Sequence, residues 1–166
     1  MFYNPDRPGV GVSKKGFTLI EILIVVAIIT VLASFVLIGL GPTQRAGRDA
    51  RRIADLRQVQ TGLELYFSKC GYYPGNTQAN SPCAARSGNP ADWTALSDAL
   101  KGSGLGITNV PNDPKAGANY SYGSTDGSGY VLAATLEDAN NSALAGDADG
   151  TLQGVSCDDP VYCLTL

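Results

Sequence analysis

From Phe17 to Leu40 the chain runs for 24 residues that are apolar or small, apart from Thr18, Glu21, Thr30 and Ser34. As a helix this run extends about 36 Å at 1.5 Å per residue, more than the roughly 30 Å hydrocarbon core of a bilayer. The apolar region of a secretory signal peptide is shorter, usually about 7–15 residues, and is followed by a small-residue cleavage site. The run therefore reads as a membrane span. Glu21 is its anomaly. An ionised carboxylate in hydrocarbon costs on the order of several kcal/mol unless something neutralises it, so an acid inside a span points to function. A plain anchor with a stray acid that reaches the interface is the bland alternative.

The residues upstream favour the functional reading. Lys14-Lys15-Gly16-Phe17-Thr18-Leu19-Ile20-Glu21 resembles the N-terminus of type IV prepilins and of the pseudopilins of type II secretion systems. The likeness runs from about Lys14 to Tyr66. It implies a membrane peptidase that cuts between Gly16 and Phe17 and methylates the new amino group of Phe17. It also implies that Glu21 acts in assembly, pairing with the Phe17 ammonium of a neighbouring subunit so that two buried charges neutralise each other. Removing one partner of such a pair costs about 3–5 kcal/mol. Methylation keeps the charge and adds apolar surface.

The expected organisation follows. Residues 1–16 form a leader, with Arg7, Lys14 and Lys15 against Asp6, which the positive-inside rule places in the cytoplasm. Residues 17–42 are the transmembrane half of a long helix and 43–70 its amphipathic half. Residues 71–166 are an extracytoplasmic head with a loop, a short helix and a β-hairpin. The fold class is α+β, type IV pilin-like: a long N-terminal helix packed on a small antiparallel sheet.

In the amphipathic half, Ile53, Leu56, Val59 with Gln60, Leu63, and Tyr66 with Phe67 recur every three to four residues. Gly71, after Lys69-Cys70, is a helix stop with a cation in the last turn. Gly39, Gly41 and Pro42 mark a helix break. Proline removes a hydrogen bond and costs about 3 kcal/mol in a helix interior, giving either a kink or, as the resemblance implies, a segment that melts when subunits pack.

Charge is uneven. Between Arg45 and Lys69 there are six bases and three acids, and from Cys70 onward three bases and ten acids. The basic stretch reads as a solvated helix face with pairs such as Arg48–Arg52–Asp55 at i,i+3 and i,i+4. The same arginines could meet phospholipid. Nucleic acid is not expected, because no aromatics are interleaved as a base-stacking platform needs.

Cysteines stand at 70, 83, 157 and 163. An even number in an exported domain reads as disulfides, with three connectivities open. The two local pairs, Cys70–Cys83 and Cys157–Cys163, are the expectation, and closing a loop of about 14 residues is worth roughly 3 kcal/mol in the chain-entropy model. The spacing is too wide for a typical zinc site built from four cysteines.

In the head, Asn89-Pro90-Ala91-Asp92 looks like an N-cap, a proline at the first helical position and an early acid. Trp93, Leu96 and Leu100 then mark the buried face of a short helix ending near Gly102. Pro111-Asn112-Asp113-Pro114 signals a turn, and residues 118–136 read as a hairpin. The order Pro-x-Asp-Pro, Tyr-x-Tyr, Tyr-Val-Leu is similar to the C-terminal half of major pseudopilins.

With no histidine in the chain, Ser-His-Asp and Cys-His nucleophiles are excluded. No phosphate-cradling glycine loop precedes a helix, and no enzyme is expected. No cofactor is expected either, with one qualification. Asp147-Ala148-Asp149-Gly150, with Asp158 and Asp159 nearby, is an oxygen-rich turn of the kind Ca²⁺ uses, and major pseudopilins can hold Ca²⁺ in their C-terminal loop. It lacks the full twelve-residue EF-hand pattern, and an acidic surface turn is the plainer reading, so no metal ligand is assigned.

The chain thus reads as a prepilin, single-pass in the cytoplasmic membrane with its N-terminus inside, that is cleaved, N-methylated and polymerised. Its expected partners are copies of itself and other pilins, the prepilin peptidase, an inner-membrane assembly platform with its ATPase, and membrane lipid before assembly. A type IV pilus, a secretion pseudopilus and a DNA-uptake pilus all remain open. A monomeric membrane-anchored binding module would need neither the processing junction nor Glu21.

Overall fold

The computed structural model describes residues 16–75, 83 and 92–166, with the backbone alone for residues 36–40. The leader arginine and lysines, and the Asn89-Pro90-Ala91 cap reading, lie outside the described residues. Two units divide between Gly41 and Pro42. A helix, α1 (Leu19–Cys70), is assigned through both.

In the first unit, the side chains from Leu19 to Phe35 are all exposed. Its polar members turn back on their own helix: Thr30 Oγ1 donates to the Val26 carbonyl at 2.8 Å, and Ser34 Oγ to that of Val31 at 2.6 Å. Such back-bonding leaves no free hydroxyl in an apolar surface. Among the described residues, no helix is long and apolar enough to cross a membrane. The described apolar side chains stop at Phe35, and 17 residues from Leu19 reach only about 26 Å. The run in the sequence continues to Leu40.

In the second unit, α1 turns one stripe inward. Asp49, Arg52, Leu56, Val59, Leu63, Tyr66 and Cys70 are buried at alternating steps of three and four. Ile53 and Gln60 are half-buried, and Phe67 is exposed but stacked on Tyr73. The stripe therefore begins with two charged residues, which apolar periodicity alone could not register. The helix ends where Gly71 takes φ +79°, with its N–H on the Phe67 carbonyl at 2.7 Å. Lys69 does not cap its own helix. Its Nζ donates to the Ser103 carbonyl at 2.5 Å, at the end of the next helix.

That helix, α2 (Trp93–Gly102), is capped by Asp92, whose carboxylate accepts the Thr94 N–H at 2.9 Å. The N-cap of α2 is thus Asp92. Trp93, Leu96 and Leu100 are buried. Trp93 donates its indole N–H to the Pro111 carbonyl and meets Tyr120 edge-on, with ring centroids 5.1 Å apart.

Strands β1 (Ser121–Gly123) and β2 (Val131–Thr135) form the antiparallel hairpin, with Tyr122 opposite Leu132. A second, two-stranded ribbon pairs β3 (Thr151–Leu152) with β4 (Val155–Ser156). The last strand, β5 (Val161–Thr165), pairs antiparallel with β2, with Ala133 opposite Cys163, giving the order β1-β2-β5. These last three strands lie beyond the hairpin expected over residues 118–136. The β5 run Val-Tyr-Cys-Leu-Thr was legible as a strand, whereas two-residue strands carry no period.

One glycine is required by packing. A Cβ on Gly123 would lie 2.4 Å from the Gln153 carbonyl oxygen and 2.8 Å from Val155 Cγ2, because the β3–β4 turn crosses directly over β1. Real Cβ atoms do not approach so closely, and overpacking of this kind costs about 1–3 kcal/mol. Gly123→Ala is expected to lower the unfolding free energy by that amount in urea titrations, whereas Gly146→Ala, with nothing within 4 Å, serves as the control.

Candidate functional site

Gly16 and Phe17, where the sequence leads one to expect processing, are exposed: Phe17 is 85 % accessible, and a Cβ on Gly16 would have no described atom within 4 Å. Thr18 and Glu21 form a capping box at the start of α1. Glu21 Oε2 accepts the Thr18 N–H at 2.8 Å and its hydroxyl at 2.7 Å, and the Glu21 N–H returns to Thr18 Oγ1 at 3.3 Å. The sequence carries this box as Thr-x-x-Glu, a local role for Glu21 beside the expected assembly one. A carboxylate with two donors from Thr18 is partnered within its own chain, and its remaining lone pairs stay available.

The assigned helix runs on through Gly39, Gly41 and Pro42. No helix end falls there, although Pro42 still offers no N–H to the carbonyl four residues before it. The boundary between the two units does fall at this point.

The densest chemistry in the second unit surrounds Arg52, which is 2 % exposed. Its Nη1 donates to Asp49 at 2.7 Å, its Nε and Nη2 to both oxygens of Asp113 at 2.8 and 3.0 Å, and Nη2 also to Glu137 at 3.1 Å. Arg48 grips Glu137 with two further bonds at 2.7 and 2.5 Å. Asp49, fully buried, accepts the Glu137 and Asp138 backbone N–H groups at 2.9 and 3.0 Å. This corrects the solvated-face reading. Arg51 and Asp55 do pair at i,i+4, at 3.7 Å, but Arg52 and Asp49 face inward. Spacing alone cannot tell an inward charge from an outward one when its partners lie about 60 to 90 residues away.

The bonds from Arg48 hold the Glu137 carboxyl down at about 2, against its ordinary 4.5, with Arg52 adding to them and partial burial opposing. Burial works against ionisation of Asp113, but the Arg52 and Lys115 donors outweigh it and hold this carboxyl low as well. Nearby, Asp55 accepts the buried Tyr120 hydroxyl at 2.8 Å, and burial together with that carboxylate pushes the phenol up.

Toward the C-terminus, carboxylate oxygens of Asp147, Asp149 and Asp159 lie within 4.8 Å of one another. Asp147 Oδ2 accepts the Cys163 N–H at 2.7 Å, covering the outer edge of β5, while its Oδ1 is buried with no hydrogen-bond partner. Asp158 stands apart, facing Ser156 Oγ at 3.3 Å. Three converging carboxylates, one with an unsatisfied oxygen, make an all-oxygen donor set that fits a hard cation such as Ca²⁺. Disulfides join Cys70 to Cys83 and Cys157 to Cys163, with Cα separations of 5.6 and 5.8 Å. The first holds the end of α1, and the second closes the loop that carries Asp159.

Residues 12–37 match the family model described as the prokaryotic N-terminal methylation motif. In that segment the chain is similar to proteins that carry a prokaryotic N-terminal methylation motif. It is 28 % identical to the type II secretion system core protein G of Vibrio cholerae, over 75 % of this chain and 80 % of that protein. It is 35 % identical to the protein of the same name from Pectobacterium carotovorum and 32 % identical to that from Escherichia coli K12, over 41 % and 40 % of this chain. These two matches span 44 % and 46 % of the relatives' own lengths. No solved structure matches the chain significantly.

The pH dependence of the head follows from Glu137. A carboxyl whose folded value is depressed adds stability that is present above its unfolded value, near 4.5, and is lost as pH falls toward about 2. The melting temperature of the wild-type chain is therefore expected to drop steeply between about pH 5 and pH 2. Glu137→Gln should be less stable at neutral pH and show a shallower drop over that window. Parallel curves for the two proteins would contradict this account.

Proposed function

We propose that this chain is a prepilin whose cleaved and N-methylated form polymerises as the major, pseudopilin-like subunit of a type II secretion apparatus. The observation that carries the proposal is the placement of a single carboxylate, Glu21, one helical turn beyond the Gly16–Phe17 junction, in a helix otherwise apolar all round. Cleavage there creates a positive amino group on Phe17. In a filament that group meets the Glu21 of the next copy, and each removes the other's cost of burial. The likeness to the Vibrio cholerae protein extends over most of both chains, which supports the pseudopilin reading over a general pilin one. The disulfide-closed Cys70–Cys83 loop favours a type IV pilus subunit as the second reading.

The role is structural. The chain has no histidine for nucleophilic or acid–base work, so the energy for polymerisation comes from a partner ATPase at an inner-membrane assembly platform. Before assembly the precursor sits in the inner membrane through residues 17–42, with its leader in the cytoplasm and its head outside. The Asp147–Asp149–Asp159 turn holds a calcium ion that ties the Cys157–Cys163 loop to the edge of β5.

Three measurements test this reading. Coexpressed with a prepilin peptidase, the chain is expected to lose residues 1–16 and gain one methyl group on Phe17, as read by intact mass. Glu21→Ala should be cleaved and inserted normally yet yield little or no filament in shear fractions, and normal filament amounts would overturn the assembly role. Millimolar Ca²⁺ should raise the melting temperature of the wild-type chain by several degrees. Asp159→Asn should lose that rise, and no rise in the wild type would remove the calcium site.

A further inference from the structure

The two halves of the Cys157–Cys163 disulfide are also the two points to which the 147–150 turn is fastened. Asp147 Oδ2 accepts the Cys163 N–H, and the Gly150 carbonyl accepts the Cys157 N–H, both at 2.7 Å. The disulfide holds the Cα atoms of those two cysteines 5.8 Å apart and so fixes the span between the ends of the turn. It also closes the 157–163 loop, in which the Pro160 carbonyl accepts the Leu136 N–H at 2.9 Å. Asp159, one residue before, therefore approaches Asp147 and Asp149 from a segment tethered at both ends.

Little else holds this arrangement. The small core behind the turn has five buried members, Val131, Ala133, Val155, Cys157 and Cys163, and two of them are the disulfide itself. Against that packing stand three carboxylates whose oxygens lie within 4.8 Å of one another and repel when no cation is between them. Asp147 Oδ1 is buried with no hydrogen-bond partner, so an ion in the turn is what would satisfy it. A covalent tether narrows the range over which the carboxylates can separate, and such preorganisation raises affinity by removing the ordering cost of binding.

We propose that the Cys157–Cys163 disulfide is a redox gate on the calcium turn. The oxidised chain presents Asp159 to Asp147 and Asp149, and the reduced chain lets them separate and holds the ion weakly. This gate rests on the calcium reading of the same turn. Reduction by a dithiol breaks the Sγ–Sγ bond: two electrons and two protons pass to the cysteines, which become thiols, and the dithiol closes into its own disulfide. Disulfides persist in oxidising compartments, so the turn reaches its full affinity there. Linkage is reciprocal, and an ion that favours the oxidised turn must protect the disulfide by the same factor.

Calorimetric titration of calcium chloride into the full chain in detergent micelles tests the proposal. The oxidised wild type is expected to bind the ion, and Cys157→Ser/Cys163→Ser to bind it about ten-fold more weakly. Cys70→Ser/Cys83→Ser, whose loop carries no carboxylate, should stay within about two-fold of the wild type. Equal affinity in the wild type and the 157/163 variant would overturn the gate and leave the calcium site standing. Equal losses in the two variants would mark general destabilisation and overturn it as well. No calcium binding by the oxidised wild type would remove the site and the gate together. Should the 157/163 variant not fold, the wild type decides through dithiothreitol titrations in which trapped thiols are mapped by peptide mass. Saturating calcium should raise the reductant needed to open half of Cys157–Cys163 by about ten-fold and leave Cys70–Cys83 unmoved. No shift at Cys157–Cys163, or the same shift at both bonds, would overturn the proposal.

Discussion

Three carboxylates from three separate stretches of chain converge on one buried guanidinium, and the rest of the head is arranged around that convergence. Arg52 cannot be buried alone. Desolvating it costs on the order of several kcal/mol unless its donors are matched. Asp49 is supplied by the same helix, Asp113 by the turn after α2, and Glu137 by the end of β2. Satisfying one side chain therefore fixes where the 111–115 turn and the hairpin sit against α1. Below the cluster, ordinary apolar packing of Leu56, Val59, Leu63 and Tyr66 takes over. Above it, α1 has no buried side chain between Gly41 and Gly47.

Tyrosines do a similar job lower in the head. Glu64 accepts the hydroxyls of Tyr73 and Tyr130 at 3.1–3.2 Å, and Tyr122 donates to the Pro74 carbonyl at 2.7 Å. Each ring supplies apolar area to the core and one polar handle that must find a partner. The handles reach α1 or the segment just after it. The sheet is thus located on the helix by directional bonds as well as by area, and area alone would tolerate sliding along the stripe.

What could be read in the sequence, and what could not, divides along physical lines. The long helix, the α2 face Trp93–Leu96–Leu100 and the 118–136 hairpin announce themselves through local periodicity and turn chemistry. The Arg52 cluster does not, because Asp113 and Glu137 are acids in loops whose partners are set by the tertiary fold. The β3–β4 ribbon is too short for a pattern, and Gly123 matters only because that ribbon crosses it. Thr18 and Glu21 were legible as a capping box at three-residue spacing, a purely local feature. The Asp147 turn could be read as oxygen-rich. That its Oδ1 is buried without a partner, with Asp149 and Asp159 beside it, is a property of the folded loop.

The chain meets the same electrostatic constraint twice and resolves it in opposite ways. Arg52 is enclosed by partners within its own chain, so its environment is complete in a single subunit and it fixes structure. Glu21 has Thr18 for two of its acceptor sites and, among the described residues, no cation paired with it. Two neutral donors soften the cost of an ionised carboxylate in an apolar surface but do not cancel its charge. A head built on the first solution holds its counter-charges within one chain. A helix built on the second leaves that charge without a partner of opposite sign among the described residues, and under the proposed processing its counter-charge would be the amino group freed on Phe17. Under that proposal, folding and assembly differ in where the counter-charge comes from.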